Sequence, residues 1–342
     1  MTTATAVAHP NIALVKYWGK ADARLALPAT GSVSMGLDVY PTTTTVTVGG
    51  RHEAPSASGD AFTLNGRVVE DGALVRVQQF LDLVRELAGS DERADVVSEN
   101  TVPTGAGLAS SASGFAALAT AAAAAYGLDL SERDLSRLAR RGSGSATRSI
   151  PGGVSVWHAG DDHGSYAERI PAPPLAMVVV TIDSGPKAIG SREAMRRTIA
   201  TSPFYPAWVT STAETVGDML TACAAGDFTR IGELTESNAL RMHATIEGAF
   251  PPIRYLTARS VGVFDAVAEL RAAGVEAYAT ADAGPNVVVL TKPEDRATVA
   301  TALAGHGTVI ESGTGPAARL VGSEGTGTPA PAGAGPAPEG VA

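Results

Sequence analysis

The sequence predicts a mixed α/β or α+β protein, on three observations. Strand-like and helix-like segments interleave along the chain rather than falling into separate blocks. Glycine (38) and proline (21) punctuate it throughout, so its elements are short. Of 342 residues, 44% are apolar and 18% charged, an ordinary composition for a globular protein and too apolar for a wholly disordered one. At about 150 residues per domain, the length implies two domains or one large one.

Taken in order, residues 11–15 form an apolar run that reads as a buried strand delivering Lys16 and Lys20 to its end. Residues 39–48 are rich in Thr and Val with partial alternation, a strand pattern. Leu74, Val77, Phe80, Leu81 and Val84 recur at helical spacing across 73–88, and Gly89 follows as a C-cap. A short strand at 94–97 leads into a Gly/Ser segment and then an alanine-rich helix. Ser131 with Asp134 resembles a capping box, starting a helix that reaches Arg141. The nearly continuous apolar run 175–182 is a buried strand. Helices are expected at 193–199, 213–225 and 261–273, and strands at 276–281 and 287–291 around an Asp-Ala-Gly-Pro-Asn turn. No internal repeat is found. A division is expected near 184–190, giving domains 1–185 and 186–322. Residues 323–342, mostly Gly, Pro, Ala, Thr and Glu, are expected to be a disordered tail.

Charge narrows the function. With 26 basic against 35 acidic residues the net charge is −9, so no global field favours nucleic acid or an anionic membrane. A polyanionic substrate must be held by a local basic pocket. The single cysteine, Cys223, excludes an internal disulfide framework and a cysteine-based zinc site, and fits a reducing cytoplasm. The N-terminal residues lack the basic and apolar regions of a signal peptide, and the apolar run 115–126 is shorter than the roughly 20 residues a membrane span needs.

Four segments carry candidate chemistry. Residues 103–112, Pro-Thr-Gly-Ala-Gly-Leu-Ala-Ser-Ser-Ala, follow a strand and open a helix. Their small side chains let backbone N–H groups approach an anion, and Ser110 and Ser111 add hydroxyls for phosphate or phosphate-bound Mg²⁺. The spacing is not a Walker pattern, and a tight loop that merely packs a helix is the alternative. A second loop places Ser143, Ser145 and Arg148 close together; Arg suits bidentate binding of carboxylate or phosphate. Arg137, Arg140 and Arg141 read as a basic helix end favoured by the dipole. Lys16 and Lys20 are either surface charges or site cations, and Asp282 either bonds its own turn or acts as a general base. His243 and His158 read as structural, His158 at a strand end.

Read together, these segments resemble the diphosphomevalonate decarboxylases of the GHMP kinase superfamily. The resemblance rests on Asn-Ile-Ala-Leu-Val-Lys-Tyr-Trp-Gly-Lys at 11–20, Pro-Thr-Gly-Ala-Gly-Leu-Ala-Ser-Ser-Ala-Ser-Gly at 103–114 and Leu-Ser-Arg-Leu-Ala-Arg-Arg-Gly-Ser-Gly-Ser-Ala at 135–146. Further matches are Ser-Arg-Glu-Ala-Met at 191–195, Thr-Ser-Pro-Phe-Tyr at 201–205, Arg-Met-His-Ala-Thr at 241–245 and Asp-Ala-Gly-Pro-Asn at 282–286. They occur in the family's order and cover residues 8–321. The resemblance implies an α+β GHMP kinase fold: an N-terminal domain like the second domain of ribosomal protein S5, a ferredoxin-like C-terminal domain, and a site in the cleft between them. It implies ATP-dependent decarboxylation of mevalonate 5-diphosphate to isopentenyl diphosphate, with ADP, phosphate and CO₂, in the mevalonate pathway of isoprenoid biosynthesis. It further implies ATP as co-substrate with Mg²⁺, and a cytoplasmic enzyme that is homodimeric as the family commonly is.

By position, the resemblance makes Asp282 the carboxylate that orients or deprotonates the 3-hydroxyl, Lys16 its charge partner and Arg148 the ligand of the substrate carboxylate. It assigns Tyr17, Lys20, Ser143, Gly144, Ser145, Ser191, Arg192 and Met195 to the substrate, with Lys20 and Arg192 as diphosphate cations. It assigns Ser98, Pro103, Gly105, Ala106, Gly107, Leu108, Ala109, Ser110 and Ser111 to ATP. The sequence departs from the family pattern at Thr30, Gly31, Gly36, Pro151, Ala188 and Gly190. These departures are expected around the substrate cleft. They leave open a related decarboxylase, or a 3-hydroxyl kinase, acting on another mevalonate-like β-hydroxy acid.

Overall fold

The computed structural model describes residues 1–49, 59–101, 110–183, 185 and 188–322. The chain forms two lobes of strands and helices, each with an apolar cluster of its own and one cluster shared between them. In the first lobe a six-stranded sheet runs in the order Arg319–Leu320, Thr2–Ala8, Thr42–Val48, Ala94–Asn100, Ala61–Leu64, Arg67–Val68. The Thr/Val strand Thr42–Val48 alternates as period-2 geometry demands: Thr42, Thr44, Val46 and Val48 are buried and the residues between them less so. The buried threonines are tolerated because each hydroxyl is paired, Thr42 with Ser113 and Thr44 with Ser98, both at 2.7 Å.

Two helices cover this sheet. Gly72–Ala88 lays Val77, Phe80, Leu81 and Val84 inward and ends at Gly89, whose left-handed φ of 60° makes the expected C-cap. Ser110–Ala125 is buried on nearly every side, and its alanines allow a close approach to the strands. Ser131 caps Glu132–Gly142 by accepting the Asp134 N–H. Gly142 has no alternative there, since a Cβ would overlap the Phe115 ring.

A second, four-stranded sheet, Ala167–Arg169, Val154–Trp157, Ser32–Gly36, Asn11–Val15, joins the lobes. Ile12, Leu14, Val33, Met35 and Val154 pack in one cluster with Met177, Met219, Phe228, Ile231 and Leu290 of the second lobe. His158 follows the end of Val154–Trp157, as expected.

The second lobe holds a four-stranded antiparallel sheet in the order Ala277–Thr280, Val287–Thr291, Ala176–Thr181, Thr308–Ser312. With helices Ala258–Ala272 and Arg296–Leu303 this is a βαββαβ unit, the ferredoxin-like arrangement the resemblance implied, enlarged by helices Ser191–Thr201, Tyr205–Ala225 and Phe228–Glu247. Both faces of the sheet are covered, which explains the uninterrupted apolar run. Met177 and Val179 enter the cluster shared with the first lobe, whereas Val178 and Val180 face Val263, Val267, Val299 and Leu303.

Strand Ala176–Thr181 pairs only with strands of the second lobe, while Arg319–Leu320 pairs back onto Thr2–Ala8. A division at 185/186 would assign Ala176–Thr181 to the first domain; its ladder assigns it to the second. The expected disordered tail, 323–342, lies outside the described residues. Among the described residues no helix is long and apolar enough to cross a membrane.

Candidate active site

One cavity of about 730 Å³ gathers nearly every site residue expected outside the 103–110 loop. Lys16, Tyr17, Lys20, Ser111, Ser143, Gly144, Ser145, Arg148, Ser191, Arg192, Met195 and Asp282 all line it. They arrive from five separate stretches of sequence and from both lobes.

Asn11–Val15 is buried along its whole length and hands Lys16 to the cavity wall. The Lys16 Nζ lies 2.6 Å from Asp282 Oδ1, with the lysine side chain 1% exposed and the aspartate 32%. Burial pushes the Lys16 pKa below its ordinary value, and the Arg148 charge lowers it further, against the attraction of Asp282. The turn carrying Asp282 is tied down on both sides. His243 Nε2 donates to the Ala281 carbonyl at 3.2 Å, and Ser260 Oγ donates to the Pro285 carbonyl at 2.6 Å. Asn286 Oδ1 accepts the Ile182 and Asp183 N–H groups at 2.8 and 3.0 Å. His243 is buried and its pKa is pushed down to about 4, so the ring is neutral, in keeping with a structural histidine.

Arg148 projects from the short 3₁₀ turn Gly144–Ser149. Its Nε donates to Asn11 Oδ1 at 3.1 Å and its Nη1 to Ser32 Oγ at 2.8 Å, while Nη2 has no partner among the described residues. Burial lowers its pKa to about 10, so it stays cationic at neutral pH. The guanidinium is held on one edge and can offer the other to a carboxylate.

A second group of charges is cationic throughout. Burial lowers the pKa of Lys20, and the charges of Arg192 and Arg76 lower it further. Arg76 is brought down to about 10 by burial and by Arg192. None of the three has an acidic partner among the described residues. Such a cluster is unfavourable until an anion enters it. Ser191 and Arg192 open the Ser191–Thr201 helix, whose N-cap Gly190 makes no side-chain bond, leaving first-turn N–H groups for the same anion.

Sequence reasoning missed Arg76, Asn11 and Met242, which also line the cavity. Arg76 carried a signal: it stands one residue before Val77 and four before Phe80, beside an otherwise apolar helical stripe. Ser98, expected at the nucleotide, is not among the residues that line this cavity, and its hydroxyl pairs with that of Thr44 within the sheet. Arg140 and Arg141 stand in the last turn of Glu132–Gly142, the basic helix end expected. Arg140 is also fully buried, bonds the carbonyls of Leu25 and Ser165, and pairs with Asp162. Of the departures Thr30, Gly31, Gly36, Pro151, Ala188 and Gly190, only Gly190 lines the cavity, so the group does not cluster at the cleft. Pro103, Gly105, Ala106, Gly107, Leu108 and Ala109 lie outside the described residues, as does the side chain of Ser110. Ser111, in the first turn of Ser110–Ala125, is described; its hydroxyl lies 3.4 Å from that of Ser143.

Known proteins carry the same architecture. A family described as the diphosphomevalonate decarboxylase-like N-terminal domain matches residues 8–167, and the mevalonate 5-diphosphate decarboxylase C-terminal domain matches 176–314. Diphosphomevalonate decarboxylase of Aspergillus fumigatus is 38% identical over 320 residues, 87% of this chain and 78% of that protein. The chain belongs to the diphosphomevalonate decarboxylase family. The solved mevalonate diphosphate decarboxylase of Staphylococcus aureus superposes with a TM-score of 0.89 at 41% identity, over 94% of this chain and 98% of that one. A complex of MDDEF with MVAPP, AMPPCP and magnesium superposes at 0.87 with 44% identity, over 94% and 99%. The α+β GHMP kinase fold expected from the sequence is thereby borne out.

Proposed function

We propose that this chain converts mevalonate 5-diphosphate and ATP to isopentenyl diphosphate, ADP, phosphate and CO₂. One observation carries the reading: an ion pair between Lys16 and Asp282 opens into the same cavity as a cation cluster that has no acidic partner among the described residues. The diphosphate suits Lys20, Arg76, Arg192 and the first turn at Ser191. The free edge of Arg148 suits the carboxylate. Asp282 then meets the tertiary 3-hydroxyl and orients or deprotonates it for attack on the γ-phosphate. Once phosphorylated, that oxygen leaves as phosphate while the C–CO₂ bond breaks, and its electron pair forms the alkene. Because the carboxylate charge disappears as CO₂ departs, Arg148 fixes orientation more than it drives cleavage.

ATP is supported by the relative bound to MVAPP, AMPPCP and magnesium. Among the described residues no three His, Cys, Asp or Glu gather into a metal site. The local donor is the hydroxyl of Ser111, which fits Mg²⁺ arriving on nucleotide phosphates rather than resident in a protein cage. Such an ion neutralises charge on the transferring phosphoryl group. Ser111 stands where the dipole of Ser110–Ala125 favours those phosphates.

The same reading gives a first domain for ATP and a second carrying Asp282. It includes a homodimer, testable by sedimentation, and residence in a reducing cytoplasm, supported by the free buried thiol of Cys223. The deciding experiment incubates the protein with ATP, Mg²⁺ and mevalonate 5-diphosphate and follows ADP and CO₂ together. Equal release of both is expected. ADP without CO₂ would reassign the chain as a 3-hydroxyl kinase.

A further inference from the structure

We infer that Asn238 and His243, two buried side chains of the Phe228–Glu247 helix, are positioning residues that set the Lys16–Asp282 contact, one acting on each partner. The inference rests on the proposed reading of the cavity and concerns residues that reading leaves without a role.

Lys16 and Asp282 belong to different lobes. One follows strand Asn11–Val15 and the other follows strand Ala277–Thr280, and these strands lie in separate sheets. The Phe228–Glu247 helix packs against both strands. Asn238, fully buried, accepts the Lys16 backbone N–H on Oδ1 at 2.7 Å. Its amide is oriented by donation from Nδ2 to Thr212 Oγ1 at 3.3 Å. Five residues on, roughly 7.5 Å along the axis, His243 donates to the carbonyl of Ala281, the residue before Asp282. Met242, beside it, lines the cavity. A single helix thus contacts the backbone beside both halves of the ion pair, in addition to the bonds from Ser260 and Asn286 that hold the far side of the Asp282 turn.

Histidine suits its place electrostatically. A charged ring would add a further cation to Lys16 and Arg148 and compete for Asp282; the buried ring is neutral and still donates from Nε2.

The test compares His243→Phe, which keeps a ring and loses the donor, with His243→Gln, which restores an N–H donor. A misplacement of an ångström can lower turnover about 10²-fold, so His243→Phe should lose kcat on that order while KM for mevalonate 5-diphosphate stays within about threefold. His243→Gln should recover most of the loss. Asn238→Ala should behave like His243→Phe, and the double variant should fall little below the worse single one, because both act on one contact. A folded His243→Phe with unchanged kcat, or a Gln variant no better than Phe, overturns the inference. Should His243→Phe not fold, Thr212→Val carries the test by freeing the Asn238 amide: a fall in kcat at constant KM is expected, and unchanged kcat overturns it. Should the wild type release no CO₂, the functional reading fails, and urea unfolding of the His243→Phe, Asp282→Asn cycle decides the positioning. Coupling beyond about twofold in the unfolding constant supports it, and additivity overturns it.

Discussion

Arg85 and Lys16 are both cations withdrawn from water beside an aspartate, yet their surroundings treat the charge in opposite ways. Arg85 grips Asp60 with two bonds of 2.8 and 3.0 Å, and Asp60 Oδ1 also accepts the Ala94 N–H. Burial opposes the Arg85 charge, but the bonds to Asp60, Asp82 and Tyr126 outweigh it and its pKa is raised. Lys16 has one acidic partner among the described residues, a second cation nearby in Arg148, and a pKa pushed down. The first pair is saturated and knits the first lobe together. The second is partly open to a cavity and shared between lobes, and its lysine is held by that one carboxylate among the described residues. A buried charge left short of partners is poised for a ligand, whereas a saturated one is structural.

Breaking each pair should therefore fail in a different assay. The largest effect is expected for Asp282→Asn: about 10²–10⁴-fold or more lost from kcat, with nucleotide binding largely kept. Near-normal turnover would remove Asp282 from the mechanism. Arg85→Met should instead lower stability by about 3–5 kcal/mol in urea unfolding, with the folded fraction still active. Arg76→Leu tests the cation cluster. It should raise KM for mevalonate 5-diphosphate about tenfold or more and leave the KM of ATP nearly unchanged.

Lys16→Met sharpens the comparison further. Because folding lowers the Lys16 pKa, the unfolded chain binds more protons between the folded value and 10.5. Wild-type stability should rise with pH through that window, and the variant should lose this rise. At neutral pH its stability should stay within about 1 kcal/mol of wild type or exceed it, since the partly exposed Asp282 can be hydrated instead. A loss as large as that of Arg85→Met would show the two pairs to be alike. The smallest effect is expected for deletion of 323–342, whose composition offers little to bury; turnover should not change measurably.

The legible part of this protein was local. The helix at 73–88 and its Gly89 cap, the Ser131 cap and the 175–182 strand all stand within a few residues of where periodicity and capping chemistry put them. Short-range preferences missed the small strand Ser32–Gly36 and the helix Arg296–Leu303, whose patterns are too brief or too polar to read alone. The site divides in the same way. The motifs supplied Lys16, Arg148, Ser191, Arg192 and Asp282, and the cavity contains all of them. They did not supply Arg76, which stands beside the apolar stripe of its helix and lines the cavity.

By itself the sequence determined most of the longer helices and strands, that an anion must be met by a local pocket, and most of the charged residues that could serve it. Periodicity, caps and net charge depend only on near neighbours or on composition. Tertiary structure alone decided that Lys16 and Asp282, 266 positions apart, touch, that Arg76 turns inward, and that the atypical glycines fall mostly away from the cleft. Those outcomes depend on how two sheets and one helix pack, and packing is set by long-range burial that no local window contains.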